Sequence, residues 1–211
     1  MKLTLYIYVA LALQAIPVAA QTSADAILEK SAKAYRDAKG ISATFSIQTQ
    51  TGATTESAEG IINMQGDKFT LATPGILTWY DGLTQWVYLT EANEVNISTP
   101  EGEELRLTNP AVLIRDYRKG FKAEYGGEAT GRSGRMIHQV ELKPTGKSDI
   151  AGIELQIDKA GSLPSYIRIS MKNGTYSAIR IANLQTGLSR PDGFFAFPEG
   201  KYPGAEVIDL R

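Results

Sequence analysis

The chain contains no cysteine, so a disulfide framework, a thiolate nucleophile and a thioether-linked lipid anchor are all closed to it. Histidine is nearly absent too, with His138 the only one. A single imidazole and no thiol leave no cluster of ligands of the kind that holds a structural or catalytic zinc. Neither a G-x-S-x-G elbow nor a G-x-x-x-x-G-K-[ST] loop occurs. Charge of one sign is also missing. The 22 basic and 23 acidic residues nearly cancel, and no basic block offers an electrostatic footprint for nucleic acid. The adjacent carboxylates Glu103 and Glu104 lie in the acidic stretch PEGEEL (100–105), which reads as a solvated loop. Enzymatic activity finds no support in these residues, and no catalytic or metal-ligating set is assigned.

The apolar run Leu3–Ile16, behind Lys2 and ahead of Val18-Ala-Ala20, has the layout of a secretory signal peptide cleaved after Ala20. Gln14 and Pro17 break it short of the ~20 apolar residues of a membrane span. The expected product is one soluble, exported and unanchored domain, residues 21–211. Within it, Thr22-Ser-Ala-Asp25 resembles a capping box, and Ile27, Leu28, Ser31, Ala32, Tyr35 and Ala38 form one helical stripe ending at Gly40. That predicts an amphipathic helix over residues 24–38. The period then drops from 3.6 to 2. Ile41, Ala43, Phe45 and Ile47 alternate with polar residues, as do Ala58, Gly60, Ile62 and Met64, then Phe69 and Leu71. Later strands show the same alternation in Met136/His138/Val140/Leu142, Ile153/Leu155/Ile157 and Leu163/Ile167/Ile169/Met171. About ten or eleven strands joined by short turns make a meander rather than a βαβ fold. The Gly/Ser-rich stretch 126–134 reads as a loop, and His138 as a hydrogen-bonded core residue. Asn96-Ile-Ser98 and Asn173-Gly-Thr175 fit a glycosylation pattern, the second better explained as a turn. One other segment is helical: Asn109 as N-cap, Pro110 at the first position, the apolar Ala111–Ile114, and Gly120 as stop.

Two hairpins are predicted at Asp81-Gly82 and Asn173-Gly174, both as two-residue primed turns. The first sets Tyr80 opposite Leu83, Trp79 opposite Thr84 and Leu77 opposite Trp86. One face then carries Ile76, Tyr80, Leu83, Val87 and Leu89, the other Leu77, Trp79, Trp86 and Tyr88, so both sides of this hairpin need cover. More broadly, a curled sheet lined by Phe45, Ile62, Phe69, Ile153, Leu155, Ile157, Ile167, Ile169 and Met171 has two short helices to bury it. A half-open barrel that accepts a hydrophobic ligand is one solution, and an interior filled by its own aromatics is another. Spacing alone favours the filled interior.

The stretch 60–98, with Asp81-Gly82 followed by Trp86-Val-Tyr88, resembles the periplasmic outer-membrane lipoprotein carrier family, LolA. The helix before the first strand, Asn109–Ile114 at the place of the family's apolar lid helix, and the ending Phe195-Ala-Phe197, Pro203-Gly204 and Val207-Ile-Asp209 extend the likeness over residues 24–211. The resemblance implies a mainly β (α+β) fold: an incomplete antiparallel β-barrel closed by an N-terminal amphipathic helix and a short lid helix. It also implies a real cavity, which reverses the preference for a filled interior. Its lining would draw on Phe45, Ile47, Ile62, Met64, Phe69, Leu71, Ile153, Leu155, Ile157, Ile167, Ile169 and Met171, with Val112, Leu113 and Ile114 as the lid. One departure stands out. Gly66 occupies the place of an arginine that bonds the family's lid, leaving Lys68, Arg115 or Arg118 as substitutes. The absent cysteine argues against the lipid-anchored outer-membrane acceptor of the same fold. The implied function is a monomeric periplasmic chaperone that ferries lipoproteins by their acyl chains. It would load at an ATP-driven inner-membrane transporter and deliver to an outer-membrane acceptor, without cofactor. The alternative is a lipid- or lipoprotein-binding sensor module on the same scaffold.

Overall fold

The computed structural model describes residues 23–211; the signal-peptide expectation and Thr22 lie outside them. Helix α1 (Ala24–Asp37) starts at Ser23, whose hydroxyl accepts from the Ala26 N–H, so the cap is Ser23 rather than Thr22. Six strands follow: β1 (Ile41–Thr51), β2 (Thr54–Gln65), β3 (Lys68–Thr73), β4 (Ile76–Tyr80), β5 (Gln85–Leu89) and β6 (Glu94–Ser98). After α2 (Gly102–Thr108) and α3 (Pro110–Asp116) come β7 (Phe121–Thr130), β8 (Met136–Pro144), β9 (Ile150–Asp158), β10 (Pro164–Met171) and β11 (Tyr176–Thr186), and finally β12 (Glu206–Asp209). Among the described residues, no helix is long and apolar enough to cross a membrane.

All twelve strands form one open sheet in the order β12-β6-β5-β4-β3-β2-β1-β11-β10-β9-β8-β7. That is more than the ten or eleven expected. Two meanders, β1–β6 and β7–β11, join where β1 pairs with β11, and every pairing is antiparallel except β12 with β6. The strands at the two ends, β7 and β12, do not pair with each other, so the barrel stays incomplete. Phe45 on β1 faces Gly60 on β2. A Cβ on Gly60 would meet the Phe45 ring at 2.7 Å and the Ala72 carbonyl oxygen at 2.3 Å, so the strand can bend there only because it has none.

Several local expectations fail for identifiable reasons. The stretch 100–105 is not all loop: α2 begins inside it, with Glu103 and Glu104 in its first turn, where their charge favours the helix N-terminus. Residues 126–130 continue β7 through a register shift between Tyr125 and Gly127, and only the remainder of that Gly/Ser-rich stretch turns. Met136 is 45% exposed, so it does not share the buried face of Val140 and Leu142. Neither hairpin uses a two-residue primed turn. At Asn173-Gly174 only the glycine has a positive φ, and the Gly174 N–H bonds the Met171 carbonyl. At the other, a four-residue loop folds around the Asp81 carboxylate, which accepts from the N–H groups of Leu83 (2.9 Å) and Thr84 (2.8 Å).

That longer loop moves the pairing to Tyr80–Gln85 and Trp79–Trp86. A shift of two residues preserves the parity of a strand, so the two faces remain as predicted, except that Leu83 becomes the exposed loop tip. The convex face, with Trp79 and Tyr88, is covered by the C-terminal segment: the Phe197 ring lies 5.4 Å from Trp79, and Tyr202 lies 4.4 Å from Tyr88. Asn93 ties the same segment down, accepting from the Tyr88 hydroxyl at 2.8 Å and donating to the Gly204 carbonyl at 3.0 Å. The concave face is the one that matters for the site.

Replacing Gly60 with valine should destabilise the fold by about 1–3 kcal/mol through overpacking against Phe45 and the Ala72 backbone. Chemical denaturation followed by tryptophan fluorescence measures it.

Candidate ligand cavity

Helices α1 and α3 lie against only part of the concave face. Leu28, Leu113 and Ile114 pack with Val140, Leu142, Ile150, Ile153, Leu155, Ile157 and Ile167 into one buried core over β8–β10. A second, smaller cluster joins Ile41, Met64, Phe69, Tyr80, Ala111 and Leu163. Between them remains a cavity of about 360 Å³. Its strand side is Ile41, Ala43, Phe45, Ile47, Ile62, Met64, Phe69, Leu71, Thr78, Gln85, Val87, Ile167, Ile169, Ile179, Ile181 and Leu184, and its helical side is Tyr35, Arg106, Leu107, Thr108, Pro110 and Leu113.

Of the residues picked out by alternation, Phe45, Ile47, Ile62, Met64, Phe69, Leu71, Ile167 and Ile169 stand on this wall. Ile153, Leu155 and Ile157 do not: they are fully buried beneath the helices. Met171 lies against the same packed core. Of the three lid candidates on α3, Leu113 reaches the cavity, while Val112 and Ile114 are buried without lining it. Alternation cannot separate wall from core, since both need apolar residues at period 2. The wall residues Ile179 and Ile181 carried that same alternation on β11; the polar ones, Gln85, Arg106 and Thr108, carried no signal.

The apolar α3 is held by polar contacts at both ends. Asn109 caps it, its side-chain oxygen accepting from Ala111 and Val112 N–H at 3.1 and 3.3 Å, while its amide nitrogen donates to the Asp67 carbonyl at 2.8 Å. Asp67 belongs to the β2–β3 turn beside Gly66, and its carboxylate pairs with Arg115 at the end of α3. Of the three cations named as substitutes, Arg115 is the one that joins α3 to the turn carrying Gly66. Arg118 pairs instead with Glu29 of α1 at 3.0 Å, and Lys68 with Asp192 of the C-terminal segment at 2.7 Å. The Tyr117 hydroxyl donates to Asp25, and burial, then that carboxylate, raise its pKa well above the usual phenol value. Tyr35, on the cavity wall, is raised likewise by burial.

His138 sits outside the cavity. Its Nδ1 is 3.3 Å from the Tyr125 hydroxyl and 3.7 Å from the Glu128 carboxylate. Burial depresses its pKa despite Glu128, so the neutral ring is the favoured form. Among the described residues, no group of three or more His, Cys, Asp or Glu could hold a metal ion.

A family profile described as "Outer membrane lipoprotein carrier protein LolA" matches residues 16–175. No curated protein matches the sequence. Among solved structures, an uncharacterized conserved protein from Thermus thermophilus superimposes with a TM-score of 0.60 at 16% identity, over 87% of this chain and 96% of that one. A LolA superfamily protein from Nitrosomonas europaea gives a TM-score of 0.47 at 12% identity, over 83% and 98% of the two chains. LprF from Mycobacterium bovis gives 0.45 at 11% identity, over 80% and 95%. The Thermus structure supports the fold.

Two measurements check this arrangement. Asn109→Ala removes a cap and a cross-link together and should cost about 1–2 kcal/mol in a denaturation experiment. Asp67→Asn breaks an exposed ion pair and should cost less than about 1 kcal/mol. In an NMR titration, His138 should protonate below the ordinary histidine value of about 6.5. Its contribution to stability is then complete above that pH and declines as pH falls through it, because the folded state resists the imidazolium.

Proposed function

The chain belongs to the outer membrane lipoprotein carrier family, and we propose that it is a periplasmic carrier that shields the acyl chains of lipoproteins between the inner and outer membranes. The observation that carries this reading is the cavity: about 360 Å³, walled on nearly every side by aliphatic and aromatic groups. A signal peptide removed after Ala20 would place residues 21–211 in the periplasm as one soluble, monomeric domain. Acylated lipoproteins are the cargo, an ATP-driven inner-membrane transporter the donor and an outer-membrane acceptor the recipient.

The physics asks for such a protein. Moving a sixteen-carbon chain from a bilayer into water costs roughly 12 kcal/mol at ~0.8 kcal/mol per methylene. A dry apolar wall removes most of that cost without covalent chemistry, so no catalytic group or cofactor is required. Release requires the wall to open. In this reading α3 is the lid, with Leu113 on its inner side and Val112 and Ile114 anchoring it, and the contacts of Asn109 and Arg115 to Asp67 are its latch. Phe45, Ile47, Ile62, Met64, Phe69, Leu71, Ile167 and Ile169 are the resting lining. Ile153, Leu155, Ile157 and Met171 form the floor under the helices, available to acyl chains only if the helices move.

The test is release of lipoproteins from spheroplasts that carry the donor transporter of the same host. The purified protein should bring labelled lipoproteins into the supernatant as a soluble complex and pass them to outer-membrane vesicles. Ile47→Asp places a charge on the wall and should lower release at least about tenfold while the circular dichroism spectrum is kept. Leu155→Asp, at a site 1% exposed, should instead unfold the protein. Binding without transfer would favour the sensor reading; no binding by the folded protein would end the carrier reading.

A further inference from the structure

Two side chains on the greasy wall, Gln85 and Arg106, each keep a buried polar atom without a hydrogen-bond partner. Gln85 on β5 is only 9% exposed, and its Oε1 is buried with no partner. Among the described residues Arg106 on α2 is the one charged residue on the wall, and its Nε is likewise buried without an acceptor. Among the described residues no carboxylate pairs with it; its guanidinium lies beside Gly120, where a Cβ would stand 3.4 Å from Nη2. A cation with a buried, unmatched donor at an apolar wall is costly unless something in the cavity meets it. Pure hydrocarbon cannot.

We infer that this cavity takes an acyl lipid with an anionic head group, held at its oxygens by Arg106 while the chain lies among the aliphatic residues. The inference rests on the acyl-binding reading above and adds to it the chemistry of the head. A carboxylate or a phosphate diester supplies the acceptors that the guanidinium lacks, in a geometry that two parallel N–H groups match. The Gln85 amide takes a neutral polar group of the same lipid, so the lipid enters chain first only so far as its head can reach these two side chains.

The test uses three fluorescent probes at pH 8: cis-parinaric acid, its methyl ester, and phosphatidylglycerol carrying one parinaroyl chain. The purified protein should bind an anionic probe at least about tenfold more tightly than the neutral ester, the size expected of a charge-assisted hydrogen bond. The preference should weaken with salt. Arg106→Met should erase it, and Arg106→Lys should keep part of it. The anionic probe that loses more in Arg106→Met identifies whether a carboxylate or a phosphate is the preferred head. Equal affinity of the wild-type protein for acid, phosphatidylglycerol and ester overturns the inference, whether or not the variants fold, and leaves the acyl cavity standing. If the folded protein binds none of the three, the acyl reading fails and this inference falls with it.

Discussion

The cavity exists because the concave side of a twelve-stranded sheet has more apolar area than three short helices can cover. A closed barrel would turn its interior residues toward one another, and longer helices would fill the space. Here β7 and β12 stay apart, α2 and α3 are only 7 residues each, and α1 and α3 pack over β8–β10. What is left over β1–β5 and β10–β11 is a lined space rather than a core. Exposed to water, an apolar surface of this kind is an aggregation hazard, and the helices shield it only in part.

That constraint gives the polar contacts around α3 their meaning. The helix is apolar over most of its surface, and Ala111–Ile114 are all buried, so burial supplies most of its attachment. Direction comes from the cap at Asn109, which reaches across to the Asp67 carbonyl, and from Arg115, which reaches the Asp67 carboxylate. One turn between β2 and β3 therefore receives both ends of a single short helix.

The opposite side of the sheet shows how the same chain protects what it does not use. The convex face of β4 and β5 carries Trp79, Trp86 and Tyr88, and the C-terminal segment lays Phe197 and Tyr202 over it before adding β12 to the sheet edge. Cover there is built from aromatic contacts and the Asn93 hydrogen bonds. Cover on the concave side is partial. The asymmetry assigns one face of the hairpin to stability and the other to the cavity.

Much of this was legible in the residues. Period-2 alternation located most of the strands, and the N-cap at Asn109 with Pro110 behind it located α3, because those are local properties of a chain. The sequence by itself also determined the parity of β4 and β5, since alternate residues point to opposite faces whatever the pairing, which is why the hairpin faces survived a two-residue shift in register. Only the tertiary structure decided which apolar residues became wall and which became core. Ile167 and Leu155 face each other across β10 and β9 and both pack into the core under the helices, yet Ile167 also borders the cavity and Leu155 does not. The difference depends on where α1 and α3 come to rest, and so does the placement of Arg106 and Gln85 on that wall, because contacts between segments far apart in the chain leave no periodic trace in it.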